Sequence, residues 1–360
     1  MIKDLKTLRD EIEVIDKEMI KLYLRRMEIV KDVALYKQEN GMEVLDRSRE
    51  LELLDKTSSL VPEKDLRGYY RELLEKQMEL SRDYQRKILG LKTKVAYQGV
   101  EGAFQHIALR EIFEKCEENS YLTFEEVFRA VSSKEVDLGV LPIENSSTGE
   151  ISEIFDLLRK YNCYITKVHS LKIEQHLLGI KGAKICDIKE VYSHPQGFLQ
   201  SSKFLYGRGW KEIPYHNTAV SAKYVSDQKD KTKGTIGSYE TASLYNLDIL
   251  AESINTNDQN QTKFIVISSE KPKTGDTCAL ILTVPHESGS LMKIVDSIGK
   301  RGYNMLNIKS RPVKNVPWEY FFFIEFQGDM DNSEELIEEL KENSLSFKVV
   351  GRYQKPEGIK

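Results

Sequence analysis

The chain has 360 residues, of which 40% are hydrophobic and 31% are charged, a balance typical of a globular protein with two or three domains. Its net charge of −4 provides no basic field for nucleic acid or an anionic membrane, so local arginines and lysines must hold any anionic ligand. There is no apolar run as long as a membrane span, the first residues are charged, and the four cysteines form no CxxC pair, so we expect a cytoplasmic protein without a signal peptide, metal site or disulfide framework.

Residues 1 to about 38 contain neither Gly nor Pro, and their apolar residues recur every three or four positions. This spacing predicts one long helix with a coiled-coil-like seam. The seam consists of Leu5, Leu8, Ile12, Ile15, Met19, Leu22, Ile29, Val33 and Tyr36. Arg26 occupies a seam position, and Arg9 and Lys37 lie directly beside the seam. A cation on a buried face must be met by an anion, either an acidic side chain of the same bundle or a bound ligand.

Two further helices are predicted, at residues 45–60 and 65–88, and each carries polar residues on one face. These polar residues are Asp46, Arg49 and Glu50 on the second helix, and Ser81 and Gln85 on the third. The three helices together therefore direct cations and hydrogen-bonding groups inward.

Residues 1–90 resemble the all-helical chorismate mutase family, in the motifs LRDEIEVID, LYLRRMEIV, ALYK, LDRSRE and ELSRDYQ. The resemblance implies a chorismate site made of Arg9, Arg26, Lys37, Asp46, Arg49, Glu50, Ser81 and Gln85. It further implies that Lys37 and Gln85 are catalytic at the ether oxygen, that arginines hold the carboxylates, and that the two acids lie near the ring hydroxyl. The residue types suit the chemistry, because a Claisen rearrangement needs only a folded substrate and stabilisation of charge on the departing oxygen.

Arg9 and Arg26 are 17 positions apart, which is about 25 Å along a straight helix. That separation is too large for both to hold one small molecule. Arg9 is therefore expected to serve the site of a neighbouring protomer, which predicts an intertwined homodimer or a higher homo-oligomer.

From residue 93 to 270 predicted strands and helices alternate. Residues 138–158 predict a strand, a polar loop and a helix start, and such a junction aims backbone N–H groups and short polar side chains at one point. This arrangement suits a small anion, although an ordinary helix cap has the same composition. Pro142 predicts that the strand ends there or lies at an edge.

The GVEG turn at residues 99–102 requires positive φ or a close backbone approach. No GxGxxG motif occurs, which disfavours a nicotinamide-dependent dehydrogenase.

The motifs GVEGAF, LPIENSSTG, YSHPQGF and QTKF resemble prephenate dehydratase. The resemblance implies two α/β lobes, like those of periplasmic binding proteins, with a cofactor-free prephenate site in the cleft and Thr262 as the catalytic hydroxyl. The implied binding residues are Glu144, Asn145, Ser146, Ser193, Gln200, Thr218, Lys263 and Phe264. Three residues depart from the family pattern: Lys263 where Arg is usual, Gln105 where Ser or Thr is usual, and His216 where an acid is sometimes found. Lysine keeps the cation but loses the bidentate fork of arginine. His194 precedes a proline at a strand end and is expected to be a structural hydrogen-bonding group.

Residues 276–355 predict a βαββαβ order, which is typical of a ferredoxin-like α+β module. Through GSLMKI and KSRPVKNVPWEYFFFIEF they resemble the ACT domain of the same dehydratases, which implies an allosteric site for phenylalanine. The implied effector-binding residues are Gly289, Ser290, Leu291, Ser310, Arg311 and Pro312. Ser290 and Lys309 depart from the usual GAL and ESRP motifs. The alternative is a dimerisation module without a ligand.

The whole chain thus resembles the bifunctional chorismate mutase/prephenate dehydratase family with a C-terminal ACT domain. The resemblance implies that chorismate is rearranged to prephenate, that prephenate is decarboxylated and dehydrated to phenylpyruvate, and that phenylalanine inhibits. The alternative is a chorismate mutase fused to a non-catalytic ligand-binding or sensor module, because two-lobed clefts also merely bind.

Overall fold

The computed structural model describes residues 4–272, 274–313, 316, 318–330 and 333–355. Lys314, Asn315 and Pro317 of the predicted C-terminal motif lie outside the described residues. The chain divides into two compact units, Met1–Lys92 and Thr93–Lys360. The helices are α1 (Leu5–Glu39), α2 (Arg47–Ser58), α3 (Arg67–Ile88), α4 (Phe104–Ile112), α5 (Phe124–Ser132), α6 (Ser152–Lys160), α7 (Pro195–Gln200), α8 (Ser202–Leu205), α9 (Thr218–Gln228), α10 (Tyr239–Leu244), α11 (Ser290–Lys300) and α12 (Glu334–Glu342), with 3-10 turns at Lys64–Leu66 and Ile185–Asp187. The strands are β1 (Lys94–Gln98), β2 (Glu117–Tyr121), β3 (Leu138–Asn145), β4 (Gly149–Glu150), β5 (Tyr164–Lys172), β6 (His176–Ile180), β7 (Glu190–Ser193), β8 (Lys211–Pro214), β9 (Lys233–Gly237), β10 (Leu247–Ala251), β11 (Gln261–Ser268), β12 (Thr277–Thr283), β13 (Asn304–Pro312), β14 (Tyr320–Gln327) and β15 (Ser346–Tyr353).

The first unit, here called the helical unit, contains α1, α2 and α3. The 35 residues of α1 confirm the predicted long helix, and its start is capped by Asp4, whose carboxylate accepts hydrogen bonds from two backbone N–H groups. The core of this unit is small and centres on Leu54, Leu74 and Met78. Most of the apolar seam on α1 is exposed, and Leu22, for example, is 67% exposed. No helix of the described residues is both long and apolar enough to cross a membrane.

The first lobe of the second unit surrounds β3, which pairs in parallel with β1 and antiparallel with β11. The prediction for Pro142 is met only in part, because β3 continues to Asn145. However, pairing with β1 ends at Val140, so the missing N–H of Pro142 removes no bond to that neighbour. A bulge between Lys263 and Phe264 disturbs the β3–β11 register near the end of the strand, and bulges of this kind re-aim side chains.

The second lobe is a five-stranded sheet in the order β10-β6-β9-β7-β8. This lobe also contains junctions at which a helix follows a strand, since α7 follows β7 and α10 follows β9. In the GVEG turn of the first lobe, φ is 105° at Gly99 and 84° at Gly102, which confirms the predicted need for glycine.

The C-terminal module, residues 277–353, has the order β12-α11-β13-β14-α12-β15 and the sheet order β13-β14-β12-β15. One face of this sheet packs on α11 and α12, with Ile294 and Leu336 in its core. The other face shares a core with the first lobe, where the rings of Phe155 and Phe323 meet edge to face at 4.9 Å. A parallel pair between Gly351 on β15 and Ile165 on β5 joins the strands of the module and those of the first lobe into one ten-stranded sheet.

We expect Gly351→Val to weaken this junction. A Cβ at Gly351 would lie 2.7 Å from the Cβ of Ile165 and 3.0 Å from its carbonyl oxygen, so the strands must separate. Overpacking of this kind lowers the free energy of unfolding by roughly 1–3 kcal/mol. Denaturant unfolding of the second unit measures this loss. Gly299→Val is the matched control, because a Cβ at Gly299 meets no atom within 4 Å. Equal stability of the two variants would contradict the importance of the junction.

Candidate functional site

Arg26 of α1 makes a hydrogen bond to a polar residue of α3 in the helical unit. One of its terminal nitrogens donates to the hydroxyl of Ser81, which itself donates to the carbonyl of Gln77 at 2.6 Å. Burial lowers the pKa of the Arg26 guanidinium below its usual value. Among the described residues no carboxylate forms an ion pair with Arg26. The predicted cation is therefore half-buried and suited to meet an anionic ligand.

Gln85 lies one turn beyond Ser81, and both are buried. Its side-chain oxygen has no hydrogen-bond partner among the described residues. An unpaired buried amide is unfavourable unless a ligand satisfies it. Lys37 donates to the carbonyl oxygen of Val44 at 2.6 Å, a bond that a ligand would have to replace.

The remaining predicted chorismate residues have different surroundings. Asp46 caps α2. Hydrogen bonds to its carboxylate lower the pKa of this group, and the largest effect comes from the backbone N–H of Arg49, with a smaller one from the Ser48 hydroxyl. Glu50 accepts a hydrogen bond at 2.7 Å from Arg82 of α3, a residue that the sequence interpretation missed although its charge complements that of Glu50.

Two predicted arginines are not gathered with this group in the single chain. The Arg49 side chain is 62% exposed and pairs with Glu52. Arg9 is exposed near the start of α1. Within one chain, therefore, neither arginine is directed at the residues around Ser81.

Asn145 connects the two strands that carry the predicted prephenate site. The register sets Asn145 of β3 opposite Thr262 of β11. The amide nitrogen of Asn145 donates to the Thr262 hydroxyl and to the side-chain oxygen of Asn260, both at 2.9 Å. Because this nitrogen can only donate, the Thr262 oxygen is the acceptor, which leaves its own proton available. Asn260 is 1% exposed and was missed in the sequence, where it reads only as part of the motif around Thr262.

The loop after β3 is organised by the same asparagine. The side-chain oxygen of Asn145 accepts from the backbone N–H groups of Ser147 and Thr148 at 2.9 and 3.0 Å. The Ser146 hydroxyl accepts from the N–H of Gln261 at 2.9 Å and thus anchors the loop to β11. Ser146 is therefore engaged in holding the loop.

The second lobe contributes Ser193, at the end of β7, and Thr218, at the start of α9. A Cβ at Gly197 would collide with the Ser193 hydroxyl and contact Thr218. Glycine therefore leaves space beside the Ser193 hydroxyl. The Ser193 hydroxyl is buried without a hydrogen-bond partner among the described residues. The amide of Gln196 bridges the lobes by donating to the Thr148 hydroxyl at 3.0 Å. The two lobes thus meet at the loop that follows β3.

The side chains of two further residues around this cleft accept hydrogen bonds within the protein. His194 caps α7 by accepting from the N–H of Gln196 at 3.2 Å, and burial lowers its pKa, as its predicted structural role requires. Gln200 accepts from the side chain of Gln175 at 3.0 Å.

The prediction that Phe264 binds prephenate is wrong for its side chain. Phe264 is 1% exposed and lies in the core with Val95, Leu171 and Ile173. Alternation along a strand explains this, because the side chains of Lys263 and Phe264 must point to opposite faces. The phenyl ring therefore supports the strand from within.

Lys263 faces Glu144, and its ammonium group lies 3.7 Å from one carboxylate oxygen. The other oxygen of Glu144 lies 3.2 Å from the ammonium of Lys309, on β13 of the C-terminal module. All three side chains are between 28% and 32% exposed. Lys309 was not predicted to reach this site, because nothing in the sequence relates position 309 to position 144.

The predicted effector residues are divided between two faces. Gly289 precedes α11 with φ of 86°, and Ser290 is buried at the helix start. On β13, Ser310 and Pro312 are exposed, whereas Arg311 points to the first lobe and contacts Glu150 and Asp156. The prediction for the Arg311 side chain is therefore wrong, since strand alternation turns it away from the exposed face.

Two family profiles match the chain. The family described as chorismate mutase type II matches residues 8–86, and the family described as prephenate dehydratase matches residues 95–272.

Curated relatives match over almost the full chain. The bifunctional chorismate mutase/prephenate dehydratase of Buchnera aphidicola subsp. Acyrthosiphon pisum (strain APS) is 32% identical, with 96% of this chain and 95% of the relative covered. The protein of the same name from Aquifex aeolicus (strain VF5) is 30% identical, with coverage of 98% and 99%. Among solved structures, prephenate dehydratase from Arthrobacter aurescens in complex with L-Phe has a TM-score of 0.67 at 24% identity. The match covers 73% of this chain and 90% of that chain and shows a similar fold.

Proposed function

The chain belongs to the bifunctional chorismate mutase/prephenate dehydratase family, and from this premise we propose which of its residues carry the two reactions. The protein is an enzyme of phenylalanine biosynthesis that rearranges chorismate to prephenate and converts prephenate to phenylpyruvate. We assign residues 1–90 to the mutase, 93–270 to the dehydratase and 276–355 to an ACT-type regulatory domain. The division between Lys92 and Thr93 supports the first boundary. The cytoplasmic location stays a prediction.

For the mutase, we propose that chorismate binds beside Arg26, Ser81 and Gln85. The rearrangement breaks the ether C–O bond and forms a C–C bond within one molecule, so no proton is transferred and binding geometry supplies the catalysis. Arg26 would hold a carboxylate, while Lys37 and the Gln85 amide would stabilise negative charge on the departing oxygen. The half-buried guanidinium of Arg26, which no carboxylate of the described residues pairs with, supports this assignment.

We further propose that the helical unit pairs with a second copy of itself. Its own core is small, and the exposed α1 seam offers a continuous apolar surface for another α1. Pairing would bring Arg9 of one chain to the site of the other, which agrees with the 17-residue separation from Arg26.

For the dehydratase, we propose that the Thr262 hydroxyl protonates the departing ring hydroxyl. Carbon dioxide leaves, the electrons of its C–C bond enter the ring, and the ring hydroxyl leaves as water with the donated proton, which solvent then returns to the Thr262 oxygen. The hydrogen bond from Asn145 carries this assignment, because it orients the Thr262 oxygen and leaves its proton free to donate. Lys263 would hold a carboxylate as a single cation. The non-catalytic sensor alternative has less support, since the relatives that span the chain are named as enzymes.

For regulation, we propose that phenylalanine binds where the start of α11 meets the exposed face of β13. Backbone N–H groups after Gly289 can receive its carboxylate. Strand alternation keeps Arg311 out of this site, and Ser310 and Pro312 line it instead. Inhibition requires tighter binding to the less active arrangement, a coupling of typically about 1–3 kcal/mol.

Lys37→Ala should slow chorismate conversion by raising its activation free energy by about 3 kcal/mol, the typical effect of losing one oxyanion donor. Loss of chorismate absorbance measures this rate, and dehydration of added prephenate should be unchanged. Lys31→Ala is the matched control, since Lys31 is exposed on the same helix. Near-normal turnover by Lys37→Ala would refute the assignment.

The same variant tests the shared site. Mixing Lys37→Ala chains with Arg9→Ala chains should restore part of the mutase activity, because each mixed dimer keeps one intact site. If labelled chains exchange and no activity returns, the shared site is wrong.

Thr262→Ala should abolish phenylpyruvate formation, so that prephenate accumulates from chorismate. Thr262→Ser, which keeps the hydroxyl, should retain much of the rate. Thr166→Ala serves as the control, because Thr166 is a partly buried threonine on the neighbouring strand β5. Chromatography of the products distinguishes the outcomes. Equal loss in Thr262→Ala and Thr262→Ser would indicate a packing role.

Phenylalanine should inhibit the dehydratase, and Gly289→Val should reduce that inhibition. At φ of 86° a β-branched residue is strained, so the turn before α11 must change. Gly299→Val, at the other end of the helix, should stay sensitive. Calorimetry that detects no phenylalanine binding to the wild type at millimolar concentration would leave the domain a dimerisation module.

A further inference from the structure

Six charged side chains of the second unit form a row of alternating sign, which we call the ion-pair ladder. In order these are Lys263, Glu144, Lys309, Glu150, Arg311 and Asp156. Successive nitrogen–oxygen distances along it are 3.7, 3.2, 3.8, 3.5 and 3.6 Å. The ladder begins at Lys263, the proposed carboxylate anchor of the dehydratase, and ends on α6. Its other two cations, Lys309 and Arg311, belong to β13 of the C-terminal module.

The ladder residues belong to regular secondary structure, and further hydrogen bonds connect β13 and β15 to α6. Lys309 and Arg311 are two positions apart on β13, so their side chains share one face. Arg311 also donates to the hydroxyl of Ser152, at the start of α6. At the other end of α6, Lys348 of β15 donates to the carbonyl of Leu158 at 2.7 Å. The C-terminal module therefore contacts both ends of α6, the helix that follows the loop after β3.

Glu144 is the ladder residue that pairs with both Lys263 and Lys309. Its carboxylate lies between two ammonium groups and is closer to Lys309 than to Lys263. The three groups are less than one-third exposed, so water screens them less than it screens surface ions. If Lys309 were neutral, Lys263 would be the cation left to pair with Glu144 in the part of the chain that the structure describes. That pairing would offset the positive charge that a prephenate carboxylate needs.

We infer that Lys309 is a positioning residue of the dehydratase. It holds Glu144 so that Lys263 stays available to the substrate, and through it the C-terminal module controls substrate affinity. This inference rests on the proposed role of Lys263 as a carboxylate anchor. Because Lys309 neighbours Ser310 on β13, a change at the exposed face of that strand would reach Lys263 through two ion pairs.

Steady-state kinetics with prephenate tests the inference on the full-length enzyme. Lys309→Met should raise KM about fivefold to tenfold, as expected when a partly buried charge contact is weakened. The kcat value should change little, because the loss concerns binding of a carboxylate distant from the reacting hydroxyl. Lys309→Arg should stay close to wild type in KM, since it keeps the cation.

Two controls exclude a general structural effect. Chorismate mutase activity of Lys309→Met should equal that of the wild type. Lys341→Met removes an exposed lysine of the same module that pairs with Glu338 on its own helix, and it should leave KM for prephenate unchanged.

A double-mutant cycle tests whether Lys309 acts on prephenate binding through Glu144. In a Glu144→Gln background, Lys309→Met should have little further effect on KM, because the carboxylate that it holds is gone. An equal effect in both backgrounds, or an unchanged KM in Lys309→Met, would overturn the inference. A wild-type enzyme that forms no phenylpyruvate from prephenate would instead refute the proposed dehydratase function.

Discussion

The dehydratase half depends on the amide of Asn145. Its nitrogen is bound to Thr262 and Asn260, and its oxygen receives two backbone N–H groups of the loop. A buried amide with all its groups paired is rigid, whereas loss of one partner leaves an unsatisfied polar atom. One side chain thus ties the end of β3 to the start of β11, shapes the loop and orients the hydroxyl that we propose to be catalytic.

The helical unit differs, because little of its apolar surface is buried within the single chain. Only a few side chains, such as Leu54 and Met78, form its core, and the seam of α1 stays exposed. A long apolar seam is stable in water only against a partner. The same association that would cover the seam would also complete the proposed chorismate site with Arg9, so assembly and activity have one physical cause.

The C-terminal module is joined to the first lobe by three kinds of contact. Phe155 and Phe323 share a core, Gly351 allows a strand pair, and Lys309 and Arg311 extend cations to acidic residues. The apolar contacts are nondirectional and set the proximity. The ion pairs are directional and reach the proposed prephenate site, so they are the contacts through which a regulatory domain can act on it.

The sequence alone determined what depends on local pattern. Uninterrupted helical spacing predicts α1, glycine at positions 99 and 102 predicts positive φ, and the motifs around Asn145 and Thr262 identify the prephenate dehydratase family. Tertiary structure decided which side chains meet across long stretches of chain. It buried Phe264, turned Arg311 from the exposed face to the first lobe, and brought Lys309 to Glu144. The physical reason is that strand alternation and register assign each side chain to a face, and a sequence motif carries no information about which element will cover that face.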